Sequence, residues 1–454
     1  MLMNMKKFYV QRTCPCGEIK GIGTAAYHLF KGIRYATAER WEAPKEVSSW
    51  QGVYDATAPG SFCFQRRAFI QEKTGVEQFY YNETVEKEIC SYSEDCLYLN
   101  IWTPHAGENL PVLVYIHGGS YETGGSTNPS FDGSAYAARG LVCITINYRL
   151  NAFACAYGDG ITGNFGVQDQ VCALQWIQHN IAAFGGDPDK VTIMGESAGA
   201  MSVQNMIFTP LAKGLFRAAI MLSGGGILEK CFRIRTPERA QEVWQKVKDA
   251  FGVQSLQELK MVDPGKLYCT WKDICNSDPR FAFPATPVID GTVIPKDPRT
   301  MVQEGRINGV PSICGVLSED MWPLSLYHTI LEWGELTEKA NLPEVYGLYL
   351  DRAVPGSNHG AYHGADVRYA FCTMDSSWRP YEETDFRISN NMVDFFASFA
   401  KTGVPAVEGL AEWMPLRSGN RQFMHFGDDP CSMCDVPANH LDNIEQLGKP
   451  FPSI

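Results

Sequence analysis

The sequence has no apolar run long enough to cross a bilayer, which takes about 20 consecutive apolar residues. The opening residues, MLMNMKKFYVQR, also contain no apolar stretch of secretory length. These absences argue against a membrane span and against an export signal. We therefore expect a cytoplasmic protein that has no membrane partner.

Positive charge is scarce. The chain has 39 Lys and Arg against 51 Asp and Glu, and its formal net charge is −12. Nucleic acid requires a basic face, and anionic membrane surfaces attract the same cationic side chains. We therefore expect no nucleic-acid partner, while composition leaves the oligomeric state open.

Histidine is also sparse, at 9 residues beside 15 cysteines. Two close cysteine pairs occur, in Cys14–Cys16 and Cys431–Cys434, but neither has a histidine partner or a repeat of its spacing. A metal site is therefore the weaker interpretation. Other cysteines lie in apolar runs, where a free thiol packs as a small hydrophobe: Cys143, Cys172 and Cys314. We expect reduced thiols and no metal or organic cofactor.

The apolar runs that are present predict the fold class. They indicate strands at residues 94–102, 111–116, 141–148, 191–194, 217–223, 310–317 and 422–426. Helical spacing of apolar residues alternates with these strands, most clearly within 167–181 and 388–399. Strands that are apolar on both faces and alternate with helices predict an α/β fold with a mostly parallel central sheet.

One short motif carries the main chemical signal, Gly195-Glu196-Ser197-Ala198-Gly199. It follows a predicted strand and precedes a predicted helix, which is the context in which G-x-S-x-G exposes a nucleophilic serine. The helix would also point its N-terminal N–H groups at the same position. The motif therefore predicts Ser197 as a nucleophile.

A second motif, HGGSY at 117–121, follows the buried strand at 111–116. A glycine-rich turn in this position lets backbone N–H groups approach the oxygen of a bound carbonyl. We expect such an oxyanion hole here, and we interpret His117 as a residue that fixes the loop.

The remaining chemical groups come later in the chain. Glu319 and Asp320 follow the strand predicted at 310–317, and His363 lies on a loop of small residues. Serine, acid and histidine in this order are typical of a serine hydrolase built on an α/β sheet. The residues alone leave either acid as the partner of His363.

Two longer motifs carry a family resemblance, EDCLYLNIWTP at 94–104 and FGGDP at 184–188 continuing through GESAG at 195–199. The sequence resembles the type-B carboxylesterase/cholinesterase family of the α/β-hydrolase fold, and it is similar to bacterial intracellular members. Supporting matches run from about residue 30 to about residue 426, so the resemblance covers most of the chain.

The resemblance implies a Ser–acid–His triad. Ser197 matches the nucleophile, and His363 matches the histidine within the frame GAYHGADVRY at 360–369, whereas His359 lies outside that frame. Counted from the glycine at 315, the family's catalytic acid falls on Asp320, with Glu319 one position early. We expect Asp320 as the triad acid.

The resemblance also implies the surroundings of the triad. The family usually has a third glycine where this chain has Ser120, so Gly119, Ser120 and Ala198 are expected to form the oxyanion hole. Glu196 matches a family position beside the nucleophile and is expected as a buried supporting carboxylate. A last pair, Cys63 and Cys96, matches a disulfide of secreted relatives and is expected to be reduced.

The function implied is hydrolysis of small carboxylic esters through an acyl-enzyme. Alternatives are acyl transfer, hydrolysis of amides, carbamates or lactones by the same serine chemistry, and a non-catalytic adhesion role. We expect one α/β-hydrolase domain over residues 1–454, with insertions at about 61–93, 227–285 and 322–360 that shape the active-site gorge. The sequence does not define the acyl and alcohol preference.

Overall fold

The computed structural model describes residues 7–69, 79, 82–83, 91–227 and 235–437. Its strands, in chain order, are β1 Phe8–Cys14, β2 Gly17–Gly23, β3 His28–Arg34, β4 Ala36–Thr37, β5 Lys45–Glu46, β6 Val53–Asp55, β7 Tyr98–Thr103, β8 Leu110–Ile116, β9 Val142–Ile146, β10 Tyr157–Gly158, β11 Ile161–Thr162, β12 Gly186–Glu196, β13 Ala218–Leu222, β14 Ser312–Leu317, β15 Val345–Leu350, β16 Phe423–Phe426 and β17 Ser432–Cys434.

The α-helices of the same residues are α1 Arg66–Phe69, α2 Ser134–Ala137, α3 Asn151–Ala154, α4 Phe165–Asn180, α5 Ala198–Phe208, α6 Pro237–Phe251, α7 Leu256–Leu259, α8 Pro264–Asn276, α9 Pro298–Gln303, α10 Pro323–Lys339, α11 Asp366–Phe371 and α12 Glu383–Thr402. None of them is long and apolar enough to cross a membrane.

The main sheet has the strand order β1-β2-β3-β7-β9-β8-β12-β13-β14-β15-β16-β17, with β6 beside β2. Every neighbouring pair from β9 through β16 is parallel, and the strands at the two ends of this order pair antiparallel. The α/β class with a mostly parallel centre is confirmed.

The central strands are buried on both faces because their side chains alternate between two cores. In β8, Val112, Val114 and Ile116 belong to one core cluster, and Leu113 and Tyr115 belong to the other. The first core also holds apolar residues of α4, α5 and α10, whereas the second holds residues of α2, α11 and α12. Helices therefore cover both faces, as the unbroken apolar runs predict.

Two of the predicted insertions contain structure that the sequence did not indicate. Residues 322–360 include β15, which pairs with β14 and β16 inside the main sheet, so this segment does not lie wholly outside the sheet. In the insertion 61–93, Phe62, Cys63 and Gln65 are buried. Residues 70–78, 80–81 and 84–90 of this insertion lie outside the described part, as do residues 228–234 of the insertion at 227–285.

The strand register sets the position of the candidate site. Ile116 of β8 lies beside Gly195 of β12, Gly195 lies beside Met221 of β13, and Leu222 lies beside Gly315 of β14. The carboxyl ends of these parallel strands therefore meet at one edge, where open α/β sheets bind their ligands.

Candidate active site

Ser197 occupies a sharp turn between β12 and α5. Its backbone has φ 57° and ψ −125°, which is unusual for a residue with a Cβ atom. The flanking glycines are required by close contacts: a Cβ on Gly195 would lie 2.3 Å from the carbonyl carbon of Gly199, and one on Gly199 would lie 2.0 Å from the Ile116 oxygen. The Ser197 N–H donates to the Leu222 carbonyl at 2.9 Å, which ties the turn to β13.

The side chains of Ser197, His363 and Asp320 form one hydrogen-bonded row. His363 Nε2 lies 2.8 Å from Ser197 Oγ, and His363 Nδ1 lies 2.5 Å from Asp320 Oδ1. All three residues are buried. In the neutral ring with its proton on Nδ1, that N–H donates to the carboxylate and the Nε2 lone pair points toward the serine hydroxyl, which is the arrangement that lets an imidazole accept that proton.

The Asp320 carboxylate is held by the backbone of its own loop. Met321 N–H donates to Oδ1 at 2.8 Å, and Leu317 N–H donates to Oδ2 at 3.3 Å. These donors fix the orientation of the carboxylate toward His363. The other candidate acid, Glu319, points elsewhere: its Oε2 accepts from Ala361 N–H at 2.8 Å and from the neighbouring serine hydroxyl.

The alternative histidine is also placed away from the serine. The ring of His359 packs edge-on against Phe79, with 5.4 Å between the ring centroids. Its backbone N–H donates to Ser357 Oγ at 3.1 Å, within the loop that precedes His363. The structure therefore brings His363, and not His359, to Ser197.

Glu196 lies beside this hydrogen-bonded row, as the resemblance implies. Its Oε1 is 3.4 Å from His363 Nε2 and is buried. Burial raises the pKa of Glu196, and the Asp320 carboxylate raises it further, while the nearby imidazole opposes the shift. For His363 burial alone would lower the pKa, but the carboxylates of Asp320 and Glu196 outweigh burial and raise it. The site therefore favours an imidazolium, the state that forms when His363 takes a proton.

Asp366, three residues after His363, completes a buried acidic cluster and has no role predicted from the sequence. Its side chain is fully buried, and Ser223 Oγ donates to Oδ2 at 3.2 Å. Burial, together with the charges of Glu196 and Asp320, raises the pKa of Asp366 well above its ordinary value. The only sequence signal was the His-x-x-Asp spacing, which places this carboxyl one turn beyond the histidine.

The glycine turn after β8 faces the same serine. A Cβ on Gly118 would lie 3.1 Å from the Ser197 Cβ, so this turn packs directly against Ser197. Within the part of the chain that the structure describes, the backbone N–H groups of Gly119, Ser120 and Ala198 donate no backbone hydrogen bond. These three groups are the ones that the sequence predicts for the oxyanion hole.

His117, at the start of this turn, is a loop residue and not a proton carrier. Its Nδ1–H donates to the Gly118 carbonyl at 2.8 Å, and its ring stacks on Tyr148 with 4.5 Å between centroids. Burial lowers the pKa of His117 to about 4, so the ring is neutral near pH 7. This placement supports its interpretation as a residue that fixes the loop.

The geometry agrees with the comparison of the whole sequence with known families. The sequence profile described as "Carboxylesterase family" matches residues 9–330 and 335–444. The chain belongs to the carboxylesterase family. It is a serine carboxylesterase, and ester hydrolysis is the activity that this membership supports.

Two carboxylesterase relatives align over nearly the whole chain. The para-nitrobenzyl esterase of Bacillus subtilis (strain 168) is 35% identical over 97% of this chain and 98% of its own length. The cocaine esterase of Homo sapiens is 29% identical over 95% of this chain and 90% of its own length. The predicted family is therefore confirmed by relatives from a bacterium and from a human.

Solved carboxylesterase structures share the fold. A PNB esterase structure superposes with a TM-score of 0.83 at 25% identity, covering 95% of this chain and 98% of that chain. A Geobacillus stearothermophilus carboxylesterase has a TM-score of 0.79 at 26% identity, covering 95% of this chain and 99% of that chain. The α/β-hydrolase fold of this carboxylesterase is confirmed.

The cysteine pair of this carboxylesterase that matches the disulfide of secreted relatives consists of free thiols. Cys63 and Cys96 are both buried. A hydrogen bond with Cys63, together with burial, raises the pKa of Cys96 well above its ordinary value. The two thiols therefore lie in contact, and that of Cys96 stays protonated at neutral pH.

Proposed function

We propose that this carboxylesterase hydrolyses small carboxylic esters with Ser197 as nucleophile, His363 as general base and acid, and Asp320 as the acid that orients the histidine. The observation that carries the proposal is the pair of hydrogen bonds of His363, one to Ser197 Oγ and one to Asp320 Oδ1. This connection gives the Ser197 hydroxyl a base that is itself oriented by a carboxylate.

In the proposed reaction, His363 Nε2 accepts the Ser197 proton as Oγ attacks the ester carbonyl carbon. The imidazolium then gives that proton to the leaving alkoxide, and an acyl-enzyme remains. Water attacks the acyl group with His363 again as the base, and the collapse of the second intermediate returns the proton to Ser197. Asp320 and Glu196 both stabilise the imidazolium by their negative charge.

The oxyanion of each tetrahedral intermediate is proposed to accept hydrogen bonds from the N–H groups of Gly119, Ser120 and Ala198. Two features support this part of the proposal. The turn packs on Ser197, and Ala198 is the first residue of α5, whose N-terminus carries a partial positive charge. Fixed backbone donors of this kind stabilise the developing charge without having to reorganise during the reaction.

We propose that residues 1–454 form one catalytic domain in which the segments 61–93, 227–285 and 322–360 shape the substrate gorge. The names of the relatives support esters of small organic molecules as the substrate class. The cytoplasmic location remains a prediction of the sequence, and fractionation of cells that express the protein would test it.

The triad proposal is tested by replacing Ser197 with Ala and measuring hydrolysis of p-nitrophenyl acetate and covalent labelling by an organophosphonate. We expect both signals to disappear, whereas Ser398→Ala, a change on the surface of α12, should keep both. A Ser197→Ala variant with full activity would overturn the proposal. Product analysis with an added alcohol separates hydrolysis from acyl transfer, because both share the acyl-enzyme.

A further inference from the structure

The loop that follows β8 holds a strained backbone. Gly119, Ser120 and Tyr121 have φ values of 103°, 58° and 59°. The left-handed region costs glycine little, but it brings the Cβ of any other residue close to its own backbone. Two consecutive side-chain-bearing residues in this region keep their conformation only if contacts outside them impose it.

Part of the constraint is local to the loop. The N–H groups of Glu122 and Thr123 both donate to the Gly119 carbonyl, at 2.9 and 3.0 Å. Gly124 packs against the first residues of the loop: a Cβ on Gly124 would lie 2.4 Å from His117 Nδ1 and 2.8 Å from the Gly118 oxygen. The position of Gly124 therefore determines where the preceding turn can lie.

Gly124 is held by the side chain of Gln65, which is fully buried. Gln65 Oε1 accepts from the Gly124 N–H at 3.0 Å, and Gln65 Nε2 donates to the Gly124 carbonyl at 2.9 Å and to the Cys63 carbonyl at 3.2 Å. The amide thus pairs with both backbone groups of one residue, as a neighbouring strand would. A side chain that lacked either the donor or the acceptor would leave a buried backbone group unpaired.

Asn151 fixes the other side of the same loop. Its backbone N–H donates to the Tyr121 carbonyl at 2.8 Å, and its Nδ2 donates to the carbonyls of Glu122 at 3.1 Å and Phe64 at 2.8 Å. Phe64 directly precedes Gln65. The side-chain amides of Gln65 and Asn151 therefore both connect the segment 63–65 to the loop. The loop is therefore attached to a segment that belongs to no strand of the main sheet.

We propose that Gln65 is a positioning residue for the oxyanion hole: it holds the left-handed turn at Ser120 so that the N–H groups of Gly119 and Ser120 face Ser197. The proposal rests on the proposed function of those N–H groups. It also accounts for how this chain keeps the turn although serine stands where the family resemblance leads one to expect glycine. The Gln65 contacts offset the strain that glycine would have avoided.

The first experiment replaces Gln65 with Met, which keeps the length of the side chain and removes its donor and acceptor. The matched control is Gln178→Met on α4, because Gln178 Nε2 also donates to two backbone carbonyls, those of Pro188 at 2.8 Å and Leu215 at 3.1 Å. Rates are expressed per serine titrated with organophosphonate, so misfolded protein does not contribute.

For Gln65→Met we expect kcat on p-nitrophenyl acetate to fall about 10- to 100-fold with KM changed less than about threefold, because a misplaced oxyanion donor affects the transition state more than the bound ester. The inhibition constant of an alkylboronic acid, which becomes a tetrahedral anion on the serine, should rise by a similar factor. Gln178→Met should change neither value by more than about twofold, even if its melting temperature falls.

The second experiment repeats Gln65→Met in a Ser120→Gly background. Since glycine adopts the left-handed turn without strain, the kcat loss caused by Gln65→Met should be several-fold smaller than in the native background. If Gln65→Met does not fold, Gln65→Asn, which keeps the amide but is one methylene too short for Gly124, takes its place.

A kcat for Gln65→Met within about twofold of the native value, or an equal loss in both backgrounds, would overturn the positioning role. The Ser197→Ala variant separates this failure from the failure of the proposed function. An inactive Ser197→Ala with a fully active Gln65→Met would reject only the role of Gln65, whereas an active Ser197→Ala would reject the triad itself.

Discussion

Replacing Asp320 with Asn tests the choice between the two adjacent acids. Asp320 Oδ1 accepts hydrogen bonds from both His363 Nδ1 and Met321 N–H, and Oδ2 accepts from Leu317 N–H. An asparagine has one acceptor oxygen and one donor NH₂ group in the same space. If the asparagine oxygen accepts from His363, its NH₂ group points at the Leu317 N–H. Two buried donors then face each other without an acceptor.

The other orientation of the introduced asparagine points its NH₂ group at His363. The imidazole must then accept at Nδ1 and carry its proton on Nε2, so it cannot take the proton of Ser197. It also loses the charge that stabilises the imidazolium. We therefore expect kcat to fall about 10³- to 10⁴-fold, which corresponds to about 4 to 5.5 kcal/mol of activation free energy.

The assay is steady-state hydrolysis of p-nitrophenyl acetate, beside Glu319→Gln. That glutamine keeps an oxygen for the Ala361 N–H, which Glu319 Oε2 now accepts at 2.8 Å. Because it changes only the support of the histidine loop, we expect a loss of no more than about tenfold. An Asp320→Asn variant within about tenfold of the native rate, together with a larger loss in Glu319→Gln, would refute the assignment.

Three further predictions concern the buried charges. Replacing Glu196 with Gln removes a negative charge beside His363 and so lowers the pKa of His363. The acid limb of the pH profile of kcat/KM should therefore move to lower pH by about one unit. An acid limb that does not move would contradict the effect of Glu196 on His363. Asp366 has a folded-state pKa above its unfolded value of about 3.9, so its contribution to stability declines as pH rises by up to about 1.4 kcal/mol per unit. Asp366→Asn should therefore gain melting temperature relative to the native protein between pH 5 and 8, and an equal difference at both pH values would count against this. Arg149 pairs with Asp169 in the core, at 2.7 and 2.8 Å. Asp169→Asn leaves Arg149 as an uncompensated buried charge, so the free energy of unfolding measured in urea should fall by about 3 to 5 kcal/mol. A decrease below about 1 kcal/mol would contradict this prediction.

The fold was predictable where local pattern and tertiary environment agree. The run before Ser197 is apolar and β-branched, and the strand it predicts is the central β12. β15 was missed for the opposite reason: Val345–Leu350 is a short apolar run that contains a glycine, and periodicity alone does not distinguish such a run from part of a helix or a buried loop. Its identity as a strand depends on pairing with β14 and β16, which are distant in sequence.

Some residues of the candidate site could likewise be predicted from the sequence, and others could not. Chain order was enough to nominate Ser197 and His363, but the choice between Glu319 and Asp320 depends on how the backbone leaves β14. Glu319 forms an isolated bridge with Tyr362, which turns its side chain toward the histidine loop, and the next residue faces the ring itself. Gln65 gave no signal in the sequence because its role consists entirely of backbone contacts that only folding creates.

The order of the strands has a consequence for the synthesis of the protein. Ser197 follows β12 and the glycine turn that faces it follows β8, so the proposed nucleophile and the proposed oxyanion donors come from the first half of the chain. Asp320 and His363 follow β14 and β15, which join the sheet beyond β13. A nascent or truncated chain that ends before residue 363 therefore carries the serine without its base. Such a chain lacks the group that would take the Ser197 proton, so we expect it to be unreactive toward esters.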